Sequence, residues 1–150
     1  MTAQPVLRPD ETYHPHLLRL FDYWNEKRGD RPMPKRSDID PVDLRFAMGD
    51  MTLIDVERDP LRFRVRLEGT NAVSRSRVDM TGRYVDQLPM AEYRSQLIES
   101  YTRIAEERRP DWAKRSITLD QRPYAYEVLW LPLSEDGGTV GMILVYVVYV

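Results

Sequence analysis

The chain has 150 residues, 22 Lys and Arg against 24 Asp and Glu, and a formal charge of −2. That length suits one domain with a core large enough to need no staples, and the near-neutral balance supplies no general field for nucleic acid. Cysteine is absent, which excludes disulfides, zinc–thiolate centres, cysteine nucleophiles and covalent flavin–cysteine chemistry.

Residues 1–13 lack periodicity, are broken by Pro5 and Pro9, and contain no apolar signal segment, so they read as a flexible lead-in. From Pro15 the pattern is helical. Leu17, Leu20, Phe21 and Trp24 fall at i, i+3, i+4 and i+7, with Lys27 and Arg28 at the C-terminal end and Gly29 as the stop. Pro32 and Pro34 mark a loop, and Asp40-Pro41 opens a short helix that Gly49 can end. Strands are predicted over 51–57 and 61–68, joined by Arg58-Asp59-Pro60. In the second, Leu61, Phe63, Val65 and Leu67 alternate with Arg62, Arg64, Arg66 and Glu68, which predicts one apolar and one charged face.

Short helical turns fill 69–88. Met90, Tyr93, Leu97, Tyr101 and Ile104 then predict a long helix near 90–107, with Glu99 and Arg103 pairing on its wet side and Pro110 beyond its end. Three strands close the chain, near 113–119, 124–133 and 139–149, the last two joined through Asp136-Gly137-Gly138. The run Val140–Val150 falls far short of the roughly 20 residues a spanning helix requires, and its Val and Tyr content favours a strand. No membrane partner is expected, and a soluble, cytoplasmic protein is the default. That last strand is apolar on both faces, so both need cover. The Leu17–Trp24 stripe, from this chain or a second copy, is the surface available for the outer one.

The order of elements resembles that of a PAS domain: two strands, a helical middle ending in a long helix, then a three-strand meander. A closer resemblance, to bacterial PAS-like proteins with a helical N-terminal extension, is carried by Tyr23-Trp24 with Arg28, Pro34–Arg36 leading into Asp38-Ile39-Asp40-Pro41, Gly69-Thr70, Thr81-Gly82-Arg83 and Leu131-Pro132-Leu133-Ser134. Arg77-Val78-Asp79 departs from it, since a glycine is expected before the Asp-x-Thr-Gly turn. The resemblance implies an α+β fold with a five-stranded antiparallel sheet, helices on one face and the N-terminal helix on the other. In its terms, residues 14–50 form the extension and 51–150 the core. It implies a non-catalytic sensory or protein-interaction module in bacterial signalling, with a small molecule, a signalling protein or a second copy as partner. It defines no cofactor.

Among candidate sites, Tyr93, Leu97, Tyr101, Tyr126 and Trp130 come from the long helix and a central strand, the elements that enclose the pocket in PAS folds, and they are the expected ligand-binding set. Asp38, Asp40 and Asp43 read as caps rather than a metal cluster, and two histidines, His14 and His16, are too few ligands for a metal site. Arg62, Arg64 and Arg66 read as edge-strand protection and Ser74–Arg77 as a short basic stretch without interleaved aromatics. A second function class, a small isomerase-like enzyme using a buried carboxylate, would draw on Asp55 or Glu127.

Overall fold

Pro15–Arg28 forms helix α1. Pro15 takes the first helical position, where a missing N–H costs nothing, and His14 caps the end by accepting the His16 N–H on Nδ1 at 3.0 Å. Gly29, at φ 61°, ends the helix in a conformation that a side chain disfavours. Leu17, Leu20, Phe21 and Trp24 are all buried, as the periodicity predicts.

The computed structural model describes residues 7–119 and 121–150. After α1 the elements are β1 (Met51–Glu57), β2 (Arg62–Glu68), α2 (Thr70–Ser76), α3 (Ala91–Glu107), β3 (Asp111–Leu119), β4 (Arg122–Leu133) and β5 (Met142–Tyr149). The strands form one sheet in the order β2-β1-β5-β4-β3, with every neighbouring pair antiparallel. Val128, Trp130, Val145 and Val147 face inward with α3 and the 80–90 segment. The opposite face carries α1. Trp24 Nε1 donates to the Pro132 carbonyl at 2.8 Å, and Phe21 stands edge-on to Trp112 with ring centres 5.8 Å apart. The N-terminal helix therefore covers the outer face of its own chain.

Residues 1–6 of the lead-in lie outside the described residues. Residues 8–13 are tied down: Arg8 grips Asp22 through two bonds of 2.8 and 3.0 Å, and Lys114 donates to Thr12 Oγ1 at 2.8 Å. The single short helix expected from Asp40 to Gly49 is instead two tight turns, Pro41–Leu44 and Met48–Asp50, preceded by a third at Arg36–Asp38. They close through i to i+3 bonds such as Asp43 N to Asp40 O and Ala47 N to Leu44 O. So few residues cannot offset the cost of helix nucleation, and tertiary packing of Leu44 and Ala47 against the core sets the path instead.

The alternation of residues 61–68 breaks at a β-bulge. Leu53 pairs with Leu67 but Ile54 pairs with Val65, leaving Arg66 as the extra residue. Phe63 and Val65 point inward, whereas Leu67 is turned to the outer face beside Leu133 and Leu144, and Glu68 is turned in. Leu61 precedes the strand and is exposed. The outer edge of β2 is itself bridged by residues 82–84: Gly82 N donates to Val65 O at 2.7 Å, and Val65 N to Arg83 O at 2.8 Å.

Where β2 passes into α2, Gly69 lies so close to residues 49–51 that an added Cβ would stand 2.3 Å from the Gly49 carbonyl oxygen. Gly69→Ala is expected to cost about 1–3 kcal/mol or more in urea unfolding, since backbone rather than a mobile side chain must give way. Trp24→Ala is expected to cost about 3–5 kcal/mol in the same measurement, with Trp24→Phe losing less because the ring remains. A Trp24→Ala protein as stable as the parent would refute the outer-face packing.

Candidate functional site

Helix α3 crosses the inner face of the sheet. Its stripe of Tyr93, Leu97, Tyr101 and Ile104 is directed toward the core, its N-terminal end is fixed by Arg94 donating to Leu88 O at 2.7 Å, and Arg108 closes it in the left-handed conformation. Between α3, the sheet and the 80–90 segment lies an internal cavity of about 80 Å³. Tyr93, Leu97, Tyr101, Tyr126 and Trp130 all border it, together with Ile54, Val65, Met80, Leu88, Val128 and Tyr149. Met90 and Tyr93 also border an open groove against Ile117 and Pro123, so these two side chains form the wall between cavity and solvent.

The walls are apolar with a few polar tips. Burial pushes the Tyr93 and Tyr101 phenols well above their ordinary pKa, so both remain neutral donors, and neither hydroxyl has a hydrogen-bond partner among the described residues. Trp130 Nε1 is buried and likewise lacks an acceptor among them. Two guanidiniums approach the Trp130 ring, Arg115 at 4.8 Å and Arg103 at 5.4 Å from its centre. Arg103 is ion-paired to Asp111 at 3.0 Å, although its Nε is buried without a partner among the described residues. This corrects the expected Glu99–Arg103 pair: Asp111, the first residue of β3, takes the guanidinium toward Trp130 instead. Arg115 donates to Ser100 Oγ at 3.1 Å.

Glu68 and Arg115, both at the cavity, escape a reading of the sequence. Glu68 looks solvent-facing by alternation, and only the Arg66 bulge turns it inward. Arg115 becomes visible once β3 is registered against β4, where it pairs with Tyr126 on the inner face. Burial raises the Glu68 pKa by more than the Met80 N–H, donating to Oε2 at 2.8 Å, lowers it, and Asp79 adds to the rise.

The other candidates are not gathered at the cavity. Asp55 pairs with Arg66 at 2.9 Å, and Glu127 accepts the His14 N–H at 2.7 Å at the start of α1. Both carboxylates of the enzyme reading thus serve the outer face. Asp38 accepts the Lys35 N–H, Asp40 that of Val42, and Asp43 the Tyr23 hydroxyl, each at 2.8–2.9 Å. Arg62 grips Asp86 and stacks on Tyr84, and Arg64 reaches Gly82 O. In the 74–77 stretch, Arg75 pairs with Asp50 at 3.2 Å and lies over Tyr149. Arg77 adopts φ 61°, the backbone region that favours the glycine expected nearby.

A family model described as PAS domain matches residues 12–147. The chain belongs to the PAS domain family. Among solved structures, its fold is similar to the PAS domain of Bordetella pertussis BvgS, at 18% identity and TM-score 0.59, covering 73% of this chain and 82% of that one. It is similar too to a sensory box sensor histidine kinase from Vibrio cholerae, at 18% identity and TM-score 0.52, covering 69% and 84%. A variant of the fungal photoreceptor VVD matches at 12% identity and TM-score 0.51, covering 97% and 99%. At these identities the likeness is one of fold. No curated protein matches the chain significantly, and no helix among the described residues is long and apolar enough to cross a membrane.

In this PAS domain the raised Glu68 pKa has a definite sign in stability. A carboxyl whose pKa is higher folded than unfolded favours the native state when protonated, and that contribution is lost as pH rises through the folded value. Glu68→Gln keeps an acceptor for the Met80 N–H without the charge. It is expected to melt above the parent at pH 7–8, with the difference shrinking toward about pH 4, near the ordinary glutamate value. Melting curves of both proteins across that range test this, and a pH-independent difference would refute it.

Proposed function

We propose that this protein is a non-catalytic sensory module that takes a small molecule into its internal cavity and reports occupancy to a signalling protein or a second copy of itself. The cavity carries the reading: an enclosed space between sheet and long helix bordered by Tyr93, Tyr101 and Trp130, whose polar tips no described protein group satisfies. Such groups are costly when left unmatched, and a well-formed apolar pocket with convergent polar tips is the usual form of a ligand site. Its volume is well under the roughly 300–1,000 Å³ of drug-sized ligand sites, so the ligand is compact.

The route outward is β4. Tyr126, Val128 and Trp130 line the cavity from one face of this strand, while Glu127 holds the start of α1 from the other and Pro132 accepts the Trp24 indole N–H. A shift of the strand on ligand binding therefore acts on the seat of α1, the surface proposed to meet the partner. The PAS fold of the family supports a sensing role.

Native mass spectrometry of gently purified protein is expected to show a small co-purifying compound. Val128→Phe, which fills the cavity from β4, should remove it while leaving the far-UV spectrum unchanged. A parent protein with no bound compound, and no thermal stabilisation by any member of a metabolite panel, would overturn the proposal.

A further inference from the structure

Within the small-molecule reading, on which this step rests, we infer that the Trp130–Arg115 end of the cavity is a subsite for the carboxylate of a compact organic acid. The uncommitted polar groups there are donors. Trp130 Nε1–H is buried without an acceptor among the described residues, and an indole can only donate. Arg115 borders the same cavity, gives an N–H to Ser100 and also acts on the Tyr126 hydroxyl, and its remaining N–H groups have no carboxylate in ion-pair reach among the described residues. The Tyr93 and Tyr101 hydroxyls add two further unmatched donors.

The cavity's own carboxylates are already engaged and stand elsewhere. Glu68 accepts from Met80, and Asp50 pairs with Arg75. Trp130 pairs with Val145, Val145 with Thr52, and Thr52 with Glu68, so Glu68 is three strands away, roughly 14 Å at about 4.8 Å per strand. An anion at the Trp130 end therefore escapes most of its repulsion.

A single water or a neutral amide could accept from the indole, but neither brings a negative charge to meet the half-buried Arg115 guanidinium. A carboxylate satisfies both at once, through the stronger charge-assisted bonds. Leu97 and Val128 offer the apolar surface for a short tail.

The test is titration calorimetry and thermal shift of the intact protein with acetate, propionate, butyrate and valerate, set against propionamide and butyramide as uncharged isosteres. The best acid is expected to bind saturably and at least about tenfold more tightly than its amide, the equivalent of losing one charge-assisted bond. Trp130→Phe, which keeps a ring but loses the N–H, should weaken that acid about tenfold, and Arg115→Gln should abolish its binding, with Arg115→Lys retaining part. The acid–amide comparison needs no variant, and spectra of the unliganded variants separate a lost contact from a lost fold.

Amides binding as tightly as acids, or both variants binding acids like the parent, would overturn the carboxylate assignment and leave the small-molecule reading standing. Absence of saturable binding by every acid overturns the assignment as well. Native mass spectrometry then separates the two levels: a co-purified compound without an acidic group preserves the broader reading, and an empty protein removes both.

Discussion

β4 and β5 carry apolar side chains on both faces, and the rest of the structure is arranged around that constraint. Leu129, Leu131, Ile143 and Leu144 are fully buried, as are Trp130 and Tyr146 on the same two strands. An antiparallel sheet with one wet face would alternate, so a centre of this kind must be enclosed from both sides. Helix α3 and the 80–90 segment supply one cover. On the other side the cover comes from α1 and the turns that follow it, with Trp24 donating to Pro132 across the junction.

Among the residues that carry the resemblance to PAS-like proteins with an N-terminal extension, Gly69 and Gly82-Arg83 lie along β2 and its end, while Tyr23-Trp24, Arg28, the 34–41 stretch and Leu131–Ser134 meet one another at this outer junction. The Tyr23 hydroxyl accepts the Asp40 N–H and donates to Asp43, each at 2.9 Å. Ser134 N donates to Pro34 O at 2.9 Å, while Arg28 is held by Asn25 and by the Arg31 carbonyl. Together they fasten helix, loop and sheet. Their chemistry is structural, and the cavity with its unmatched donors lies on the opposite face. A sequence signature of this kind marks the framework that positions a site rather than the site.

What the sequence discloses follows the range of the interactions involved. Period-3.6 and period-2 patterns record local burial, so α1, α3 and the strands are legible from them, whereas the choice of Tyr93, Leu97, Tyr101, Tyr126 and Trp130 as cavity residues rests on the resemblance to PAS folds. The Arg66 bulge is set by how β2 must meet β1 and then pass Gly49 at Gly69, a non-local requirement that leaves no local trace. That one extra residue exchanges the faces of Leu67 and Glu68 and turns a carboxylate inward. Arg103 is obscured for a similar reason. Helical spacing points to Glu99, but Asp111 lies beyond the helix and competes for the same guanidinium. Arg115 needed the register of β3 on β4, which the alternation of either strand alone does not fix.

The bridge from residues 82–84 to β2 also makes the sheet asymmetric toward other molecules. With Val65 engaged on both its N–H and its carbonyl by that segment, β2 offers little room for an incoming strand. β3 pairs only with β4 among the described residues, so it is the margin left for strand addition. A peptide joining there would align beside Arg115 and Trp112, whose side chains reach the cavity and the α1 seat respectively. Extension of the sheet and occupancy of its interior would then be read through the same strand.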